Sequence, residues 1–332
     1  MPVSDHLSIP APLSEKSPME IASKRINWSF LESLRLPLPF SARHRNSLFL
    51  MLLAASVVCF WEPLANLYAL TNQQDHYSHI VLIPWLTLYA FYVDRTTILS
   101  SREWSPLLGL GFIAVGALWA WQADVAIYGA DLLSVQILAF VILCWGLFVL
   151  CYGVMALWTS SFGLLLLLCM VPLPANLLNA VIVFLQRSTT EATDVIFTLL
   201  GIPFYREGFI FGLPNISIHI AEECSGIRST LSLIITSLVA GHFLLRSLWG
   251  KFALVLVVLP LAIIKNAFRI VGLSVLANYV DRTFITDSLL HKAGGIPLFG
   301  LALVILLVLA WLLRKIEKRT VYSLSDALHA KM

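Results

Sequence analysis

Eight long apolar stretches constrain the fold of this chain more than any other feature of its sequence. They lie near residues 46–63, 79–94, 106–123, 132–152, 154–172, 229–247, 252–278 and 296–313. A helix crosses a bilayer with roughly 17–25 predominantly apolar residues, and most of these stretches reach that length. The chain is 59% hydrophobic and 12% charged, whereas about a quarter of the residues of a soluble domain are charged. We therefore predict an all-α polytopic membrane protein with about eight transmembrane helices.

Lysine and arginine are distributed unevenly between the two sides that eight spans would define. The side that holds both termini carries 15 of these residues, and the opposite side carries 5. Cytoplasmic segments of membrane proteins contain an excess of lysine and arginine. The asymmetry predicts a protein of the inner (cytoplasmic) membrane with both termini in the cytoplasm. We expect a cytoplasmic N-terminal extension at 1–46, a membrane-embedded domain at 47–313 and a basic cytoplasmic tail at 314–332.

The outer loop at residues 173–228 is long enough to contain secondary structure of its own. Residues 176–200 carry apolar and polar side chains at helical spacing, which favours a pair of helices at the outer surface. From 205 to 221 the apolar period changes to two, which is typical of a small β-hairpin before the sixth span. An irregular loop is the alternative for this second segment.

The sequence carries no motif typical of a nucleic-acid partner, a metal site or a cofactor. Its basic residues cluster beside the apolar stretches, as membrane topology requires. Its five cysteines form no CxxC or Cys/His zinc spacing, and no glycine-rich phosphate loop occurs. We therefore expect membrane lipids around the chain, and neither nucleic acid, cofactor nor resident metal.

Cys224 differs from the other cysteines in its surroundings. It lies in the polar segment 222–229, directly before the sixth apolar stretch, whereas the other four lie inside apolar stretches: Cys59, Cys144, Cys151 and Cys169. Helix N-termini and nearby cations favour the thiolate, which is the nucleophilic form of cysteine. The position of Cys224 therefore indicates a thiol enzyme in the membrane.

Two further residues reach the outer face where Cys224 lies. Arg269 comes about 27 Å along the seventh span at ~1.5 Å per residue, near its outer end, and His291 lies in the last outer loop. A thiolate can attack a peptide carbonyl to give a thioester, and histidine can transfer the protons. Arginine stays charged and can only stabilise negative charge. His219, five residues before Cys224, is the histidine that local spacing alone favours.

These segments resemble the exosortase/archaeosortase family of integral-membrane cysteine transpeptidases over residues 47–313. The resemblance rests on three motifs in order: Cys224-Ser225-Gly226-Ile227-Arg228-Ser229, Asn266-Ala267-Phe268-Arg269-Ile270 and His291-Lys292-Ala293-Gly294. Two more segments are similar to parts of the family pattern: Asp75-His76-Tyr77-Ser78-His79 and Tyr205-Arg206-Glu207-Gly208. The joint occurrence of these motifs is specific, although no single motif is.

The resemblance implies that the substrates are exported proteins with a C-terminal sorting tail. Such a tail consists of a short Pro-containing motif, a transmembrane helix and a basic cluster. The enzyme would cut near the motif at the outer face and transfer the new C-terminus to an acceptor such as a glycan or a lipid. By motif position Cys224 is the nucleophile, Arg269 its electrostatic partner and His291 the acid and base. The residues that we expect to bind substrate are Arg228, Asn266, Asp75, Ser78 and Glu223.

Other functions remain compatible with the sequence. In a transporter of glycan precursors, Arg269 and Lys265 would bind an anionic head group. An assembly subunit in exopolysaccharide export would require neither these cations nor the thiol, and a plain hydrolase would release a free carboxylate. Single residues also have structural alternatives, since Arg269 could snorkel to the interface, Arg228 could stabilise its loop, and Asp75 could cap the second span.

Overall fold

The computed structural model of the protein describes residues 36–37, 41–101, 103–126, 129, 131–281 and 295–329. Side chains are described for these residues except 36–37, 42, 103, 124–126, 223 and 319–329. Most of the predicted N-terminal extension, the end of the basic tail and His291 therefore lie outside the described residues.

Helices dominate the N-terminal half. Their bounds are α1 Ala42–Cys59, α2 Trp61–Gln73, a 3-10 segment at Asp75–Leu82, α3 Ile83–Ser100, α4 Pro106–Ala126 and α5 Leu132–Thr159. Two short strands, β1 Leu36–Pro37 and β2 Glu103–Trp104, pair antiparallel. Helix α5 contains a kink at Gly153, whose φ of 80° is a left-handed value that glycine tolerates best.

The C-terminal half combines helices with a small sheet. The bounds are α6 Ser161–Leu166, a 3-10 turn at Leu167–Met170, α7 Ala175–Leu199, β3 Tyr205–Glu207, β4 Ile210–Gly212, β5 Ser217–His219, a 3-10 turn at Glu222–Ser225, α8 Ile227–Leu244, α9 Leu248–Tyr279 and α10 Gly295–His329. Helix α7 is a single helix, so the predicted pair of helices in this region is wrong.

The described part of the chain contains five helices that are long and apolar enough to cross a membrane: Pro106–Ala123, Leu132–Thr159, Ile227–Leu244, Leu248–Tyr279 and Gly295–Lys318. Two bent pairs raise this count to as many as seven: Arg43–Cys59 with Trp61–Gln73 at 70°, and Ser161–Met170 with Ala175–Leu199 at 89°. The all-α polytopic membrane fold is confirmed. The predicted number of eight spans is not, because α3 is not among these helices.

The segment before α8 forms a three-stranded antiparallel sheet in the order β3-β4-β5. It contains the predicted hairpin and one further strand. Phe211 in β4 pairs with Arg206 and Ile218 on its two neighbours. One face of the sheet region is buried against α7 and α9 through an apolar cluster that includes Phe211, Phe197 and Val271. The cluster fixes the sheet directly beside the start of α8.

Helix α9 runs antiparallel to α8 and α10, and the three helices share one buried core. Its members include Leu233, Leu254, Val258, Ala302, Leu306 and Ala310. At one end, the Glu317 carboxylate on α10 accepts hydrogen bonds from the backbone N–H groups of Arg246 and Ser247, between α8 and α9. The opposite end holds the start of α8, the last turns of α9 and the start of α10. Asn266 lies 19 residues beyond Ser247, about 28 Å along the helix, which is close to the thickness of a bilayer core.

Candidate active site

Cys224 lies in the 3-10 turn Glu222–Ser225, immediately before α8. Its backbone N–H donates to the carbonyl of Ala221 at 3.0 Å. Gly226 follows with a φ of 82°, and this left-handed conformation turns the chain into the first residue of α8. Residues with a side chain rarely adopt that conformation. The glycine two residues after Cys224 therefore allows the tight turn that holds the cysteine close to the N-terminus of α8.

Asn266 on α9 connects that helix to the Cys224 turn. Its side-chain Nδ2 donates a hydrogen bond of 2.7 Å to the backbone carbonyl of Cys224, and the side chain is 1% exposed. The two segments are so close that a Cβ on Gly226 would lie 2.9 Å from Asn266 Cγ. Glycine at 226 therefore serves two purposes, because it adopts the left-handed conformation and it leaves room for the amide.

The side chain of Cys224 is half-buried against an apolar wall. The wall consists of Phe197, Phe211, Leu213, Ile220, Ile270 and Val271. Gln186 on α7 anchors the wall, since its buried Nε2 donates to the carbonyl of Ile220 at 2.6 Å. Cys224 therefore has the apolar wall on one side and the polar residues of the turn 222–225 on the other.

Two cations lie four residues apart on α9, the helix that contacts the Cys224 turn. Lys265 is 8% exposed, and its Nζ donates to the hydroxyl of Ser229 on α8. Arg269 is half-buried one turn further along. A Cβ on Gly295 would lie 3.9 Å from Arg269 Nε and 4.0 Å from its Cζ. The guanidinium of Arg269 is thus next to the first residue of α10.

An ion pair links the 3-10 segment after α2 to the start of α8. Arg228 Nη1 lies 3.0 Å from Asp75 Oδ2, with side chains that are 59% and 86% exposed. Ser78 is half-buried on the same segment. Burial lowers the pKa of His76, and the charge of Asp75 opposes that shift. Burial also lowers the pKa of His79, whose Nδ1–H donates to the carbonyl of His76 at 2.9 Å.

The structure brings together six of the eight side chains named from the sequence at this end of the helices. Asn266 contacts the Cys224 turn, Arg228 contacts Asp75, Arg269 lies beside the start of α10, and Ser78 shares the segment of Asp75. Of Glu223 the backbone is described, within the 3-10 turn. The alternative histidine, His219, is exposed at the end of β5.

Besides the bond made by Asn266, sequence reasoning missed two contacts of charged side chains. It did not pair Lys265 with Ser229, and it did not pair Asp75 with Arg228. The opposite charges of the second pair were visible in the sequence, but 153 positions separate them, and only the packing of the 3-10 segment on α8 brings them together. In the described part of the chain, no group of three His, Cys, Asp or Glu residues is placed to hold a metal ion.

These features define a class of protein: a polytopic membrane protein with a cysteine turn and two cations at one end of three packed helices. A family model described as transmembrane exosortase (exosortase EpsH) matches residues 70–308, well over half of the chain. The chain belongs to the transmembrane exosortase family. Comparisons with curated proteins and with solved structures gave no match.

Proposed function

We propose that the protein is a membrane cysteine protease and transpeptidase that cleaves the C-terminal sorting tails of exported proteins and transfers them to an acceptor. The hydrogen bond from Asn266 to the carbonyl of Cys224 is the observation that carries this proposal. It fixes the cysteine at the N-terminal end of α8, where the helix dipole and adjacent cations favour a thiolate. The proposal also draws on membership of the exosortase family.

The proposed reaction begins when the thiolate of Cys224 attacks the carbonyl carbon of the scissile peptide bond. A C–S bond forms, and the carbonyl oxygen becomes an oxyanion that the guanidinium of Arg269 stabilises. When the C–N bond breaks, the departing amine takes a proton from His291. The acceptor then gives up a proton to His291 and attacks the thioester carbon, which releases the thiolate.

His291 is assigned from the sequence motif, since it lies outside the described residues. It precedes Gly295 by four residues, and a fully extended chain of that length spans at most about 14 Å. Arg269 lies beside Gly295. The chain connection therefore supports the assignment, because it limits how far His291 can be from the arginine.

The sorting tail contains a transmembrane helix, so the substrate would approach through the bilayer. An apolar groove of about 370 Å³ lies between α7 and α9, lined in part by Val195, Ile264 and Phe268. Phe268 directly precedes Arg269, so the groove lies along the helix that carries this arginine. We assign the groove to the tail helix. The polar motif of the tail would then meet the residues Arg228, Asp75, Ser78, Glu223 and Asn266.

The acceptor would be a glycan, a lipid or another nucleophile rather than water. The apolar wall beside Cys224 limits the access of water to a thioester there. The site would face the outside of the inner membrane, with both termini in the cytoplasm. In support, the opposite end of the three C-terminal helices carries a cluster of basic residues: Arg246, Lys251, Arg314, Lys315 and Lys318.

Replacement of Cys224 tests the proposal directly. Cys224→Ala and Cys224→Ser are each co-expressed with a protein that carries the sorting tail, and its processing is followed by mass. We expect both variants to leave the tail intact, while Cys169→Ser, a cysteine of the 3-10 turn after α6, processes it normally. Unchanged processing by either Cys224 variant would refute the mechanism. That outcome would favour a transporter or an exopolysaccharide assembly subunit.

Two further measurements separate transfer from hydrolysis and test His291. The C-terminus of the processed protein is expected to carry a transferred group, whereas a free carboxylate would indicate a hydrolase. In His291→Ala the departing amine has no proton donor, so cleavage should slow sharply and the tailed substrate should remain intact by mass spectrometry.

A further inference from the structure

Lys265 is a buried cation that the proposed mechanism does not use. Its side chain is 8% exposed and lies in the seventh of the predicted spans, within α9. A charged group at this depth in a membrane protein is costly, and such residues are usually paired and functional. Its position between the helices of the candidate site therefore requires an explanation.

The contacts of Lys265 lead to the Cys224 turn. Its Nζ donates to Ser229 Oγ, and the Ser229 hydroxyl donates in turn to the carbonyl of Gly226 at 2.9 Å. Gly226 is two residues from Cys224. A chain of hydrogen bonds thus runs from the ammonium to the backbone that holds the cysteine. The neighbouring residue of the same helix, Asn266, contacts the carbonyl of Cys224 itself.

Lys265 and Arg269 are one helical turn apart, so two positive charges lie on the same face of α9. Like charges at this spacing destabilise a helix unless negative charge lies nearby. Three carboxylates of the surrounding elements are engaged by other cations. Glu191 and Asp194 on α7 bind Arg206 at 2.6 and 2.8 Å, and Asp75 binds Arg228 at 3.0 Å.

We propose that Lys265, held by Ser229, is a positioning residue that stabilises the thiolate of Cys224 electrostatically. The bond to Ser229 holds the ammonium beside the first turn of α8, where a positive charge favours the thiolate over the thiol. Arg269 is then available for the oxyanion, because the nucleophile has a cation of its own. This inference rests on the proposed function, in which Cys224 is the nucleophile.

Other charged and titratable groups surround the Cys224 turn and act on the same thiol. On the turn itself are Glu222 and Glu223, and the elements packed around it carry Asp75, His76, Glu191, Asp194, Arg206, Glu207, His219, Arg228 and Arg269. All of them remain in place when Lys265 is replaced. The effect of the lysine is therefore measured as a difference between variants rather than from the behaviour of Cys224 alone.

The test follows the alkylation of Cys224 by iodoacetamide as a function of pH in the purified full-length protein. Mass spectrometry of the peptide that contains Cys224 separates it from the other four cysteines. Lys265→Met keeps the length of the side chain and removes its charge. We expect the midpoint of the pH profile to move upward and alkylation near neutral pH to slow by about three- to tenfold, since one pKa unit changes the thiolate fraction about tenfold.

Three variants complete the experiment. Lys265→Arg keeps the charge and should retain a profile close to that of the unmodified protein. Ser229→Ala removes the acceptor that holds the ammonium, so a smaller shift in the same direction is expected. Lys251→Met replaces a lysine of the same helix 14 residues away, about 21 Å along its axis, and should leave the profile unchanged.

An unchanged profile in Lys265→Met overturns the inference, as do equal shifts in Lys265→Met and Lys265→Arg. If Lys265→Met does not fold, the pH profile of Ser229→Ala tests the inference in its place. An unchanged alkylation profile in Ser229→Ala also overturns the inference. The proposed function is judged separately by processing in Cys224→Ala. If Cys224→Ala loses processing but the alkylation profile of Lys265→Met is unchanged, the role of Lys265 is rejected and the proposed function is retained.

Discussion

The side-chain amide of Asn266 donates a hydrogen bond of 2.7 Å to the backbone carbonyl of Cys224. The bond joins α9 to the turn before α8, and both partners belong to motifs of the exosortase resemblance. A backbone carbonyl that is held in this way cannot rotate without breaking the contact. The direction in which the cysteine side chain leaves the turn is thereby coupled to the position of α9.

Asn266→Ala is expected to reduce processing of a tailed substrate by about tenfold or more, because small misplacements of reacting groups are costly. The carbonyl of Cys224 would lose its partner, at a cost of about 1–3 kcal/mol in the free energy of unfolding. Processing rates and thermal unfolding in detergent check the two effects. Asn278→Ala is the matched control, since Asn278 lies on the same helix but accepts from the backbone N–H of Asn215 at 2.9 Å. Equal losses of processing in both variants would contradict a specific role for Asn266.

Gly226→Ala tests whether the close approach to Asn266 is required. Alanine with left-handed backbone angles costs roughly 1–2 kcal/mol, and its Cβ would lie 2.9 Å from Asn266 Cγ. We expect lower stability and a loss of processing greater than that from strain alone. Gly201 provides the comparison, because its φ is +66° and a Cβ added there would meet no atom of the described residues within 4 Å. Gly201→Ala should lower the melting temperature but leave processing intact.

The sequence predicted the helices of this fold better than their breaks. Polypeptide with apolar side chains on all faces indicates a span, but it does not show where the span bends. Pro172 and Pro174 follow the 3-10 turn after α6 and coincide with the bend of 89°, because proline cannot continue the hydrogen bonding of a helix. In α3, Asp94 and Arg95 interrupt the apolar run, and this helix accounts for the difference between eight predicted spans and the seven that the described residues support at most.

The same limit applies to the site. The motifs identified Cys224, Asn266 and Arg269, because their residue types and order are specific. They did not predict that Asn266 binds the carbonyl of Cys224 or that Lys265 binds Ser229. Those contacts depend on the rotation of α9 about its axis relative to α8, which buried apolar residues such as Leu233 and Leu254 determine. Such packing involves many weak contacts and leaves no local pattern in the sequence.

The fold is expected to lose stability as the pH falls below about 6.5, the ordinary pKa of histidine. Burial lowers the pKa values of His76 and His79 in the 3-10 segment. A histidine whose pKa is lower in the folded state than in the unfolded state stabilises the fold above its unfolded pKa. That stability is lost as the pH falls through the folded pKa. Thermal unfolding at about pH 7.5 and about pH 5 measures the difference.

His79→Asn should reduce this pH dependence. The asparagine amide can still donate to the carbonyl of His76, as Nδ1 of His79 does at 2.9 Å, but it takes up no proton. The drop in melting temperature between the two pH values should therefore be smaller than in the unmodified protein. His44→Asn at the exposed start of α1 is the control. A drop of unchanged size in His79→Asn would show that other groups cause the acid sensitivity.

The ion pair between Asp75 and Arg228 is expected to affect processing more than stability. Both side chains are largely exposed, at 86% and 59%, and exposed pairs contribute only about 0.2–1 kcal/mol to the free energy of unfolding. Asp75→Arg or Arg228→Asp places like charges at the contact between the 3-10 segment and α8. Each single variant should keep a melting temperature near that of the unmodified protein but process a tailed substrate more slowly, because the segment moves away from the turn of Cys224.

The double variant Asp75→Arg with Arg228→Asp restores opposite charges in the reverse order. If the pair acts by holding the 3-10 segment against α8, processing should recover to a large part of the original rate, and added salt should slow it by screening the contact. If either residue instead binds the substrate through its own charge, the double variant should be as slow as the slower single variant. Processing rates of the four proteins, measured at low and high salt, separate a contact between two segments from a contact with the sorting tail.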